Sequence, residues 1–246
     1  MKISIKQILS ESVSFYKGNF KNLIGLSFVI LIYTILMLSM EYTPTILTNH
    51  TSWLLLYIFI IFGLLIPMMI LLPKIYLAIP ILIDALLGEN KLTTIQAYRQ
   101  TKGKYWLMVW CSLLVGILYV PLMALTLYAK IPFAAPINQI YISFIAPLFY
   151  TLIPMIAIEP RTNRYLRKSI KMIKGNYINV FILNSITLTL ITAIHGTLSY
   201  IFQGKTAVLL IFNMVYAIAY FFIYPFASTV TVIVYRQLRG SQELFD

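Results

Sequence analysis

Cysteine, histidine and acid are all scarce in this chain. One cysteine, Cys111, stands among 246 residues, so no internal disulfide and no thiolate cluster can form. Its neighbours Trp110, Leu113 and Leu114 make it a small packed side chain. The two histidines, His50 and His195, form no His-x-x-x-His pair and no carboxylate–histidine spacing, so no metal site is expected. Gly-x-Ser-x-Gly is absent, and no set of nucleophilic catalysis is visible. A phosphate-binding Gly-x-x-x-x-Gly-Lys-Ser/Thr loop is absent too, so the chain is not expected to power anything with ATP by itself. No cofactor is implied.

Charge is also in short supply. Charged residues make up 11% of the chain and apolar ones 60%, and the mean hydropathy is +0.86. This excludes a disordered chain, a soluble helical bundle and a disulfide-rich secreted domain. A soluble domain of this size has too little interior to hide so much apolar surface. The expected class is an integral membrane protein.

A spanning helix needs about 20 mostly apolar residues. Six such runs are readable: Leu23 to Met40, Trp53 to Leu87, Tyr105 to Tyr128, Ile137 to Ile158, Ile178 to Phe202 and Ala207 to Tyr235. In lipid the backbone must pair internally, so runs of this length are helices. The alternation of a membrane β-barrel is missing. The first run follows a 20-residue mixed lead and has no small-x-small cleavage site, unlike a signal peptide. The second run, about 50 Å as a helix, is too long for one straight crossing, and Pro67, Pro73 and Pro80 are its expected bend sites.

Basic residues number 19 against seven acidic ones, for a net charge of +12. In a soluble protein that would suggest nucleic acid. Here sidedness explains it. Sixteen of the basic residues fall in 1–22, 88–104, 159–177 and 236–246; only Lys130 and Lys205 fall in the intervening connections. Positive charge marks the cytoplasmic side. The expectation is therefore a multi-pass protein of the bacterial cytoplasmic membrane with both termini inside, drawn to anionic headgroups and without a nucleic-acid partner.

Three segments are alike: Lys17-Gly18-Asn19-Phe20, Lys102-Gly103-Lys104-Tyr105 and Lys174-Gly175-Asn176-Tyr177. The lysines are 85 and 72 residues apart. Each segment follows an amphipathic stretch (Ile5, Ile8, Leu9, Val13 and Tyr16; Ile95 and Tyr98; Leu166, Ile170 and Ile173) and precedes an apolar run. The pattern predicts an elbow. An interfacial helix ends at glycine in the left-handed conformation, lysine complements the helix end and the lipid, and an aromatic residue opens the span. Two spans per unit give parallel repeats. The expected fold is all-α: six transmembrane helices as three parallel two-helix repeats, about 1–88, 89–160 and 161–246, each led by a cytoplasmic interfacial amphipathic helix.

These units resemble the membrane domain that accompanies some bacterial glycerophosphodiester phosphodiesterases, and related uncharacterised bacterial integral membrane proteins. The resemblance is carried by Phe15 to Phe20, Gly88 with Ala97-Tyr98-Arg99, Glu159 with Arg167-Lys168-Ser169 and Lys174-Gly175, and the closing Tyr235 to Arg239. It covers most of the chain. It implies a membrane-domain fold and no phosphodiesterase activity, because the catalytic domain has no room here.

Polar groups within apolar runs are the candidate site. Lys74 and Asp84 lie in the second run, where an unpartnered charge costs roughly 2.5–3.5 kcal/mol. Either they contact a substrate or ion, or Asp84 sits near the inner interface and Lys74 snorkels or pairs with it. They are ten residues and about 80° apart on a helix, so pairing would need a bend at Pro80. Ser185, Thr189, Thr192 and Gly196 make a small-polar stripe on the fifth run, for close packing or a pathway lining. Asn213, Tyr216, Tyr220 and Tyr224 make another on the sixth, for interhelical packing or an amphipathic ligand. The carboxylate of Glu159 is expected to meet nearby arginines. Three functions fit. One is a permease-like or immunity/export component handling a lipid-like or membrane-active peptide substrate, with an ABC-type ATPase or another membrane protein as partner. The others are a scaffold that recruits a partner, and a lipid-modifying enzyme.

Overall fold

The computed structural model describes residues 3–47, 51–90, 92–117, 134–160, 164–202 and 206–242. His50, Lys91, Lys130, Arg161, Lys205 and the outer part of the third expected span, 118–128, lie outside the described residues. Among the described residues there is no strand. The helices are α1 (Ile5–Leu47), α2 (Thr51–Leu87), α3 (Thr94–Gln100), α4 (Tyr105–Ile117), α5 (Ala134–Ile145), α6 (Leu152–Ile158), α7 (Tyr165–Lys174), α8 (Tyr177–Asn184), α9 (Leu190–Ile201) and α10 (Thr206–Gln242). A 3₁₀ turn, Ala146–Phe149, joins α5 to α6, and a π-helical turn, Ser185–Thr189, joins α8 to α9.

Among the described residues five stretches are long and apolar enough to cross a membrane: Ile5–Met37, Leu55–Leu87, Ile140–Ile158, Tyr177–Ser199 and Ile211–Gly240. By length and composition this is a multi-pass membrane protein. The third expected span is described only as the 13-residue apolar helix α4. Phe59 (80% exposed) and Trp106 (69%) show why water is the wrong solvent for these faces. The fourth span is broken where Pro147, which has no N–H, tightens the helix into the 3₁₀ turn. Helix α2 runs without a break through Pro67, Pro73 and Pro80.

Burial is concentrated at one end. On α2, Leu77, Ala78, Ile79, Leu82 and Ile83 are fully buried, whereas Leu55 to Ile70 is largely exposed. On α10 the buried run extends from Tyr224 to Tyr235, and on α1 it includes Ile8, Ser12, Leu23, Leu26, Ser27 and Ile30. These segments meet the elbows, so the core sits at the basic end. Helix α1 packs along α10 and α2, and α2 packs on α6.

The three elbows differ. Helix α1 runs through Lys17, Gly18 and Phe20 without interruption, so no elbow forms there. The continuous amphipathic lead has no reason to turn: Tyr16 donates to the carbonyl of Phe222 (2.8 Å), and Phe20 stacks on Phe222 at 6.2 Å, holding both turns against α10. The second elbow turns at 101–104, after α3, which is capped reciprocally by Thr93 and Gln96. Gly103 has φ +86°, the left-handed region. At the third, Gly175 ends α7 in right-handed geometry (φ −78°), so the left-handed reading is corrected there. The amphipathic face of α7 buries Tyr165, Ser169, Met172 and Ile173, while Ile170 stays 39% exposed, off the expected stripe.

These geometries separate the glycines by sign. Gly18→Ala is expected to stabilise by about 0.5–1 kcal/mol, because it sits mid-helix and an added Cβ meets nothing within 4 Å. Gly103→Ala is expected to destabilise by about 1 kcal/mol or more at its positive φ. Gly175→Ala, in open space and right-handed, falls between the two. Thermal unfolding of the purified variants reads all three.

The variable position of the motif decides what each elbow holds. Asn19 donates to Phe15 O of its own helix (3.0 Å). Lys104 Nζ donates to the carbonyls of Ala157 (2.6 Å) and Glu159 (3.1 Å), capping the end of α6. Asn176 Oδ1 accepts from Ile3 N (3.0 Å) while Asn179 donates to Ile3 O (2.9 Å). The N-terminal segment is thereby tied to the third elbow.

Candidate functional site, a polar seam along the last helix

Helix α10 turns one face of unusual chemistry towards its neighbours. Asn213 is 1% exposed, and its Oδ1 is hydrogen-bonded to His195 Nε2 of α9. The His195 ring lies 4.4 Å from Tyr216. Tyr216 stacks on Tyr220 at 5.9 Å, and Tyr220 packs on Tyr224 at 5.7 Å. Tyr76 of α2 joins at 5.2 Å from Tyr224. The spacing i, i+4, i+8 of the three tyrosines puts their rings one above another. A cavity of about 160 Å³ opens beside His195, Asn213 and Tyr216, walled by Ile191, Ile194 and Leu209. The seam therefore offers amide, imidazole and phenol groups inside an apolar wall.

Of the expected site residues, the structure brings Asn213, Tyr216 and Tyr220 together. His195 was not among them. Its signal was nonetheless present: His195 lies seven residues before Phe202, and Asn213 seven after Thr206. Two antiparallel helices on a short connection bring such positions to equal depth.

The fifth-span stripe behaves differently. Thr189 Oγ1 accepts from Asn184 (2.8 Å) across the π turn, and Thr192 donates to Thr189 O (3.0 Å). Thr187, outside the expected stripe, is the buried hydroxyl and donates to Leu183 O (2.9 Å). Ser185 and Gly196 are half-buried and lie outside the seam cavity. The hydroxyls of Thr187 and Thr192 thus bond within their own helix.

Lys74 and Asp84 do not pair. Asp84 Oδ1 meets Arg236 Nε at 3.1 Å, with side chains 28% and 41% exposed. Lys74 Nζ stands over the rings of Tyr98 (5.6 Å) and Tyr105 (5.9 Å) instead. The helical offset keeps the two on different faces. A double-mutant cycle of Asp84→Asn with Arg236→Gln is expected to couple by about 0.2–1 kcal/mol, the scale of a half-exposed pair. The same cycle with Lys74→Gln should be additive.

At the basic end Glu159 joins α6, α7 and α10 through its carboxylate. It ends α6 in extended geometry (ψ 152°), as the residue before Pro160 favours. Its carboxylate, 7% exposed, meets Lys168 Nζ at 2.8 Å through both oxygens and accepts from Tyr235 OH at 2.8 Å. The cation beside it is thus a lysine where the arginines were expected. Lys104 holds the backbone of the same corner, and burial pulls its ammonium below the usual lysine value. Tyr177, the aromatic of the third elbow, donates to Phe144 O (2.6 Å). Among the described residues no group of three His, Cys, Asp or Glu side chains could hold a metal ion. Set beside known proteins, the chain matches no family model, no curated protein and no solved structure.

Proposed function

We propose that the chain is a non-catalytic six-span protein of the bacterial cytoplasmic membrane, built as three two-helix units of the kind its motifs resemble. It acts as a permease-like or immunity/export component that handles a lipid-like or membrane-active peptide substrate. One observation carries the reading: the His195–Asn213 pair beside a cavity of about 160 Å³, continued by the tyrosine ladder. Polar groups are costly at membrane depth and mark sites of contact. This set holds no carboxylate or ammonium, and its amide, imidazole and phenol groups face apolar walls, which suits an amphipathic molecule better than an ion. An ABC-type ATPase would supply the energy where transport is uphill.

The test is expression of the chain in a bacterial host sensitive to membrane-active peptides. A selective rise in the inhibitory concentration of one peptide class supports the reading. Unchanged sensitivity across the panel overturns it. A scaffold reading then stands, favoured by the exposed cations Arg167, Lys171 and Lys174 on α7, and co-purification from detergent identifies the partner.

A further inference from the structure

A second site lies elsewhere. A cleft of about 780 Å³ opens where α2, the α3–α4 turn and the start of α4 meet. Three cations line it: Lys74 from α2, Arg99 from α3 and Lys102 from the turn. Among the described residues no carboxylate lines it, and the two ion pairs found there, Glu159–Lys168 and Asp84–Arg236, use none of the three. Lys74 Nζ stands over two ring faces, at 5.6 and 5.9 Å. A cation inside an apolar run needs a counter-charge or water, and this one points into a basic, acid-free cleft. Helix α4 begins at Tyr105, on the wall of the cleft, so its positive dipole end adds to the same potential.

The cleft has an apolar neighbour. It shares Ile70 and Tyr105 with a groove of about 580 Å³ between α2 and α4, walled by Met69, Pro73, Val109 and Leu113. Gly116 lies in that groove, and an added Cβ there meets nothing within 4 Å. A basic cleft thus adjoins an apolar groove through Ile70 and Tyr105. Trp106, 69% exposed, lines the basic cleft as an interfacial anchor.

We propose that this composite cleft binds one anionic phospholipid. The headgroup phosphate lies among Lys74, Arg99 and Lys102, and an acyl chain fills the groove between α2 and α4. Charge complementarity selects the headgroup, and the adjacency of the two cavities selects a lipid over a free anion. α10 contributes nothing to the cleft, so the site is independent of the seam and of the transport reading.

The experiment uses the full chain in detergent. Native mass spectrometry titrates phosphatidylglycerol, phosphatidylcholine with the same acyl chains, and inorganic phosphate. One phosphatidylglycerol per chain is expected to be retained in preference to phosphatidylcholine. Arg99→Gln/Lys102→Gln should weaken it about tenfold, as loss of charge-assisted contacts predicts. These two side chains are exposed, so the variant keeps its fold even if Lys74→Gln does not. Val109→Trp, which fills the groove without touching a cation, should weaken it as well. Lys171→Gln, on the exposed face of α7, should leave it unchanged. Equal retention of phosphatidylcholine overturns the proposal, as do wild-type binding by the double variant and an equal loss in Lys171→Gln. Displacement by equimolar inorganic phosphate would show a free-anion site and overturn the lipid assignment.

Discussion

Lys168→Met is expected to lower the free energy of unfolding by about 3 kcal/mol, the low end of the cost of leaving a buried charge unpaired. The physical reason is asymmetry. Glu159 is 7% exposed, whereas Lys168 is 43% exposed. Losing the lysine strands a carboxylate that water barely reaches, with Tyr235 OH and its own surroundings as the remaining support. Losing the carboxylate frees a lysine that can turn to solvent. Glu159→Gln should therefore cost less than Lys168→Met. Glu159→Gln in the Lys168→Met background should recover most of the loss, since glutamine still accepts from Tyr235. Tyr235→Phe removes one hydrogen bond and should cost about 1 kcal/mol. Denaturant or thermal unfolding of purified protein gives the order. A double variant no more stable than Lys168→Met would show that the stranded carboxylate is not the cause.

Asn213→Leu is expected to reduce the selective peptide resistance at least tenfold while changing stability by only about 1 kcal/mol, the usual size of an interhelical hydrogen bond in a membrane. It removes the partner of His195 and the amide beside the 160 Å³ cavity, and leaves the apolar walls in place. His195→Leu should act in the same direction. Thr192→Val is the control, because that hydroxyl donates to its own backbone at 3.0 Å and lies outside the cavity lining. Dose–response curves at matched expression measure the effect. Equal resistance in wild type and Asn213→Leu would remove the seam as the working site; equal loss in Thr192→Val would point to general destabilisation of the bundle.

Much was legible from one chain because apolar runs and their punctuation are local. Long apolar runs impose helices once the solvent is lipid, since every N–H and C=O must find a partner within its own segment. The bare i, i+4, i+8 spacing already placed the three tyrosines on one face of the last helix. The end of α6 at Glu159-Pro160 was readable in the same way, from the restriction proline places on its predecessor.

The elbows mark the boundary of that reasoning. Three segments share Lys-Gly and an aromatic residue, yet one is uninterrupted helix, one turns through a left-handed glycine and one turns without it. A glycine permits a turn without compelling it. Whether the chain turns depends on what holds the flanking segments, and at Gly18 the contacts of Tyr16 and Phe20 with α10 keep the helix straight. That contact spans 206 residues of sequence, and local pattern holds no trace of it.

Charges divide along the same line. Composition and sidedness set the class of the protein and the clustering of its basic residues, because insertion energies depend on residue type and depth alone. Partner choice is a matter of direction in three dimensions. Lys74 and Asp84 share a helix but not a face, so one finds two tyrosine rings and the other finds Arg236. Glu159 draws together α6, α7 and α10, and His195 meets Asn213 across two helices, because tertiary packing alone brings distant side chains to hydrogen-bond distance. Sequence determined the helices, the solvent they require and the end on which positive charge collects. The tertiary structure decided which polar groups are paired and which line a cleft, since those outcomes rest on the angles between helices rather than on the order of residues within them.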